Sequence, residues 1–557
     1  LKVAASRAAL IAAVSLLAAC GSGGDSNGGD GGGSGHTVTV SGRITFDRVP
    51  VDSSGLNFSA ITRAPARGIV VEAIDASSSS ILASGTTNAN GQYSLAVPGN
   101  RSIRIRAKAQ MTQSGASAWN FRVLNNTNGN ALYALDSAAF ETDSSSTRDL
   151  NAPSGWGGSA YTGTRAAAPF AILDTVYEAK ELLLSAQPNL AFPALDLFWS
   201  ATNRSSDTFC PSAGNIGTTS FVTGNTGDTD DCSTPRALQP GIYVLGDSSD
   251  SDEFDQHVIA HEFGHYVEAY FSRSDSIGGR HSLNEPLDMR VAFSEGWSNA
   301  FSAMVLRNPV YRDSFDLGQV GSFNIEDNSV GVNGWYSEAS VMQILWDLFD
   351  SEVEPGVDNL QLPFASLFAA LAGAQKTTPA LTSIFSYANA LLVVEAGRAA
   401  AIESLLASEG VNSTDPFGVG ETNFGAEGAT MQNTVYASII PGSTVNVCTS
   451  GQAGVYNKLN NRRFLKLDLS QSGTSTHSIL LQGATTSALH DPSEDPDIII
   501  WRRGEWFATG FEGGTTETLA SRQFPADVYI LEVFDAGFGW PTGARSTRPR
   551  CMNVTVN

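Results

Sequence analysis

His261 and His265 stand four residues apart, with Glu262 beside the first, in the stretch "DQHVIAHEFGHYVEAYF". That spacing constrains the fold strongly. On an α-helix residues i and i+4 lie one above the other on the same face, so both imidazoles can reach one point. Two imidazoles so placed can hold a Zn²⁺ ion at about 2.0–2.1 Å each, with Glu262 projecting alongside to take a proton from water. Val258, Ile259 and Val267 give the helix apolar contacts, and Gly264 is expected to leave room near the metal. His257, one turn earlier, is followed by Val258 rather than a glutamate and reads as a supporting residue.

A catalytic zinc site normally has three protein ligands and an open position. The pattern that supplies a third histidine six residues after the second fails here, because Glu268 and Phe271 occupy the glycine and histidine positions. "AFSEGWSNAFSAM" places Glu295 inside an apolar helical run thirty residues beyond His265. The two motifs together resemble the gluzincin metallopeptidases, and "SEGWSN" is closest to the fungalysin-like pattern. The resemblance implies a zincin-like α+β domain, one Zn²⁺ held by His261, His265 and Glu295, and peptide hydrolysis with Glu262 as base. Asn299 stands where the family commonly has an aspartate that orients a ligand histidine. Its neutral oxygen can still accept from an imidazole N–H.

Further candidates surround this set. His281 is an alternative ligand or a stabiliser of the transition state, and Glu285 and Asp288 are weaker ligand candidates. Tyr336, at the start of a helix capped by Ser337, is a candidate donor to the developing oxyanion. The strand "GIYVLG" is a candidate edge for pairing with an extended peptide. Asp247, Asp250, Asp252, Glu253 and Asp255 are oxygen-rich enough for Ca²⁺ but lack EF-hand spacing, and read first as a solvated acidic loop.

A chain of 557 residues exceeds one hydrophobic core. A net charge of −23 argues against nucleic acid as a partner, since phosphate binding needs clustered Lys and Arg. Residues 1–20 read as a signal peptide, with Lys2 and Arg7 ahead of an apolar run. The run ends in Leu17-Ala18-Ala19-Cys20, which resembles the bacterial lipobox and implies lipid modification of Cys20. The expected location is the outer membrane or cell surface, reached through the "GSGGDSNGGDGGGSGH" tether at 21–36, whose His36 reads as inert.

Residues 37–153 alternate as strands and resemble a carboxypeptidase-regulatory-like β-sandwich, implying a spacer. Residues 154–442 carry the helices of the metallopeptidase-like region. Residues 443–557 return to strands; "FLKLDLS" and the Asp-Pro-Asp at 495–497 resemble a pre-peptidase C-terminal β-sandwich. The expected fold is therefore multidomain: an α+β zincin-like domain flanked by two β-sandwiches. Export permits disulfides, expected as Cys210–Cys232 and Cys448–Cys551, one of three possible pairings. The competing functional class is a surface-tethered binding protein whose protease-like domain no longer cleaves.

Overall fold

The computed structural model describes residues 36–224, 229–351, 360–423, 433–484, 489–541, 543 and 548–557. The expected signal peptide, Cys20 and nearly all of the tether lie outside these residues. The described chain is multidomain, built of sheets with helices between them.

A 10-stranded sheet forms the spine. Its strands include β1 (Ile69–Asp75), β2 (Ile81–Thr86), β3 (Ser102–Gln113), β4 (Trp119–Asn125), β5 (Leu195–Trp199), β6 (Ser220–Val222) and β7 (Gly241–Val244). The order across it is β6-β7-β5-β4-β3-β1-β2. β1 and β7 are buried along their whole length, as strands covered on both faces must be. β3 instead alternates buried and half-exposed residues.

The spine crosses the boundary expected at residue 153. β4 pairs in parallel with β5, Phe121 opposite Leu195 and Leu124 opposite Phe198. A single hydrophobic cluster runs from Val38 to Phe534 and takes in Val71, Ile105, Leu197 and Ile259. Residues 37–153 are thus part of the body that carries the helices, not a detached spacer. Alternation identifies a strand but does not name its neighbour. The strand Thr37–Arg48 belongs to a second, 5-stranded sheet, where it pairs antiparallel with Gln92–Pro98.

Helix α1 (Ala168–Ala186) lies in the crossover between β4 and β5. Its buried Asp174 pairs with Arg48, at the end of the strand Thr37–Arg48, and with Arg67, in the loop leading into β1. Helices α2 (Gln256–Phe271), α3 (Met289–Leu306) and α4 (Glu338–Asp347) follow. Asp288 caps α3 by accepting from the Arg290 N–H, and Ser337 caps α4 by accepting from Ser340.

The C-terminal region is a pair of 5-stranded sheets around Leu465, Leu467, Ile498, Ile500, Leu531, Val533 and Val554. Its first strand, Tyr436–Ile439, precedes the boundary expected at 443. Both expected disulfides are present, Cys210–Cys232 and Cys448–Cys551.

This sandwich grips α3 through buried charge. Arg290 is 0% exposed and reaches Glu532 from both terminal nitrogens, at 2.9 and 3.0 Å. Arg462 and the Trp501 indole also donate to Glu532, each at 2.6 Å. Burial pushes the Glu532 carboxyl up, but Arg290 and Arg462 hold it down to about 2. Such a network contributes above the unfolded carboxyl pKa and is lost as pH falls toward the folded value. Glu532→Gln is expected to cost about 3–5 kcal/mol by leaving buried cations undercompensated. Urea unfolding at neutral pH would show this loss. Between roughly pH 4.5 and 2 the variant should lose less further stability than the parent.

Candidate metal centre

α2 and α3 meet at glycine. A Cβ on Gly264 would lie 2.9 Å from the Ser298 Cα and 3.0 Å from its Oγ. Gly264 thus admits the backbone of α3, rather than leaving space at the metal as expected. On the opposite side, a Cβ on Gly296 would lie 2.5 Å from the Val341 Cβ of α4. The Trp297 indole donates to the Gly264 carbonyl at 3.2 Å. α3 is therefore held tightly between α2 and α4.

This contact brings the predicted ligands together. His261 Nε2 and His265 Nε2 are 3.1 Å apart, and each is 3.3 Å from Glu295 Oε2. Donors about 2.0–2.1 Å from one tetrahedral ion would be separated by about 3.3–3.4 Å. The three atoms fit a divalent ion in both spacing and donor type. Asn299 Oδ1 lies 2.8 Å from His261 Nδ1. A proton on Nδ1 donates to that oxygen and leaves the Nε2 lone pair for a metal. Ser294 Oγ lies 3.2 Å from His265 Nδ1 and donates to Glu268 at 2.6 Å.

The local field favours positive charge. Against its burial, His265 and His281 hold the Glu295 carboxyl well below its ordinary range. Burial pulls His265 down, but Glu295, Glu262 and Glu268 carry it up to about 9. The same carboxylates would attract a metal cation. Burial raises Glu262, whose Oε2 accepts the Phe221 N–H at 2.6 Å.

The cleft beside these groups has a volume of 760 Å³. One wall is Thr218–Thr223, which contains β6; another is formed by residues 276–281. β6 is the sheet edge, and the expected edge "GIYVLG" is the next strand in, paired on both sides. Its shortness and polar flanks hide β6 in the sequence.

His281 lines the cleft, with Nε2 3.3 Å from Glu295 Oε2 and Nδ1 2.6 Å from Glu338. Burial lowers this imidazole, but Glu295 and Glu338 raise it to about 9. Glu338 escaped the sequence reading because it lies 57 residues away; its place beside the Ser337 cap was the available signal. Tyr336 does not line the cleft, and its ring packs on Trp335 with centroids 5.1 Å apart.

His257 points away, its Nδ1 3.1 Å from Ser302 Oγ, and burial lowers it to about 3. Glu285 pairs with Lys458 at 3.0 Å, while Asp288 serves Arg290; neither joins the centre. The acidic loop also differs from expectation: Asp252, Glu253 and Asp255 are buried, not solvated.

No family model and no curated protein matches the sequence. Among solved structures, the pre-peptidase C-terminal domain of a collagenase from Bacillus anthracis matches at 10% identity and a TM-score of 0.16. That match covers 22% of this chain and 94% of the other. A 9R-lipoxygenase from Cyanothece PCC8801 matches at 9% identity and a TM-score of 0.13, over 28% of this chain and 25% of its own. Neither likeness bears on the chemistry of the centre.

Gly264→Ala is expected to separate α2 from α3 and cost about 1–3 kcal/mol. Thermal unfolding should show the loss, and dialysis against a chelator should strip metal from the variant faster than from the parent.

Proposed function

We propose that this chain is a zinc metallopeptidase of the gluzincin type, anchored by lipid at Cys20 outside the cytoplasm. The observation that carries the reading is the convergence of His261 Nε2, His265 Nε2 and Glu295 Oε2, at 3.1–3.3 Å, beside buried Glu262. A zinc ion bound there would supply Lewis acidity and lower the pKa of water.

The chain's own groups supply the rest. β6 is the outer strand at the cleft among the described residues, and an extended peptide can lie along it with a carbonyl across the cleft, displacing the Phe221 N–H from Glu262 where it pairs there. Glu262 takes a proton from the attacking water and passes it to the leaving nitrogen. Burial raises its carboxyl toward the range that suits both tasks. His281, oriented by Glu338, donates from Nε2 to the developing oxyanion. The substrate class is peptide or protein.

Glu262→Gln should keep the zinc and lose about 10²–10⁴-fold in peptide cleavage. Cleavage of casein at the parental rate would overturn the mechanism. Zinc binding without turnover on a broad peptide library would favour a tethered binding protein. His281→Ala should keep the zinc and lower kcat by about 10²–10³-fold with KM little changed. Loss of zinc from that variant would make His281 a ligand instead.

A further inference from the structure

A second cluster of possible ligands lies where the loop entering α2 meets the strand leaving α3. Asp250, Asp252 and Asp313 each offer a carboxylate oxygen, and the three oxygens lie within 4.8 Å of one another. Asp313 belongs to β8 (Val310–Phe315), the strand that follows α3. Asp255, three residues after Asp252, stands at the start of α2.

We propose that these residues form a Ca²⁺ site, with Asp250, Asp252 and Asp313 as ligands and Asp255 supporting them, clamping the loop before α2 to the strand after α3.

Asp252, the buried member of the trio, carries an unpartnered carboxylate oxygen, and nearby Asp255 carries another. Asp252 is 3% exposed; its Oδ2 accepts from Thr219 Oγ1, while Oδ1 has no hydrogen-bond partner. Asp255 is 1% exposed; its Oδ2 accepts from Ser314 Oγ at 2.7 Å, and its Oδ1 is likewise unpartnered. A carboxylate oxygen buried and unpaired is strongly unfavourable unless a proton or a cation meets it.

The neighbouring Glu253 shows the ordinary remedy, since it pairs with Arg165. Among the described residues, no lysine or arginine forms an ion pair with Asp250, Asp252, Asp255 or Asp313. Burial and mutual repulsion push Asp252 and Asp255 well up, and bring Asp313 up to about 6. Asp252 and Asp255, buried without an ion-pair partner, therefore need protons or a cation.

The donor set selects the ion. All the ligand atoms are oxygens, which suits a hard cation and not zinc. Ca²⁺ holds oxygens at about 2.3–2.6 Å in flexible geometry, so oxygens up to roughly 5 Å apart can share it. Asp250 is half-exposed and Asp313 exposed, so water can complete the shell from the open side. An affinity of roughly 10⁻⁵–10⁻³ M suits three carboxylates on an open rim.

The test uses the full chain, stripped of calcium and dialysed against about 1 mM CaCl₂, a concentration set by that affinity range. Metal analysis should find one Ca²⁺ per chain. The Tm should rise by several degrees with Ca²⁺ and much less with the same concentration of Mg²⁺. Asp313→Asn should fold, judged by circular dichroism, and lose both the bound Ca²⁺ and the Tm response. Asp250→Asn at its half-exposed position provides the same comparison should Asp313→Asn not fold. A parent that binds no Ca²⁺ and melts identically with and without it would overturn the proposal, leaving a proton-sharing cluster. So would a Ca²⁺ response unchanged in both variants.

Discussion

The close backbone approach of α2 and α3 at Gly264 is the constraint on which the centre depends. A side chain at 264 would collide with Ser298. Without that approach Glu295 could not come within 3.3 Å of both histidines on α2. The geometry is local to one helix for His261 and His265 and tertiary for Glu295. The centre is therefore only as well formed as the packing of α3.

That packing is enforced from several sides. Val341 of α4 fills the space beside Gly296. Arg290, five residues before Glu295, is locked to Glu532 of the C-terminal sandwich. β4 and β5, from either side of residue 153, pair within the spine that carries β6 to the cleft. The flanking β regions thus act on the site through burial and charge. Arg290 and Glu532 belong to a network in which each buried charge has a partner, the arrangement that makes such networks tolerable.

How much of this was legible in the sequence follows from the range of each interaction. The histidine pair and Glu262 could be read directly, because i and i+4 on a helix must share a face. Glu295 and Asn299 needed a resemblance, since nothing local says which later helix packs on α2. Glu338 could not be matched to His281, and β6 is too short and polar to stand out as the outer strand beside the cleft. Tyr336 stands at a helix start, yet it is not among the residues lining the cleft. The acidic loop looked solvated because charge usually is. Its burial comes from α1, Arg165, Thr219 and the Ser314 hydroxyl of β8, all distant in sequence. Of the three pairings open to four cysteines, the expected one is present, each bridge closing a loop within one region.

The most direct measurement of the central claim is zinc K-edge X-ray absorption on protein purified without added metal. The account predicts one zinc per chain, with two imidazole nitrogens and carboxylate or water oxygen at about 2.0–2.2 Å and no sulfur. His265→Ala and Glu295→Ala should each lose that spectrum. Absence of zinc, a sulfur shell at about 2.3 Å, or a spectrum unchanged in both variants would contradict it.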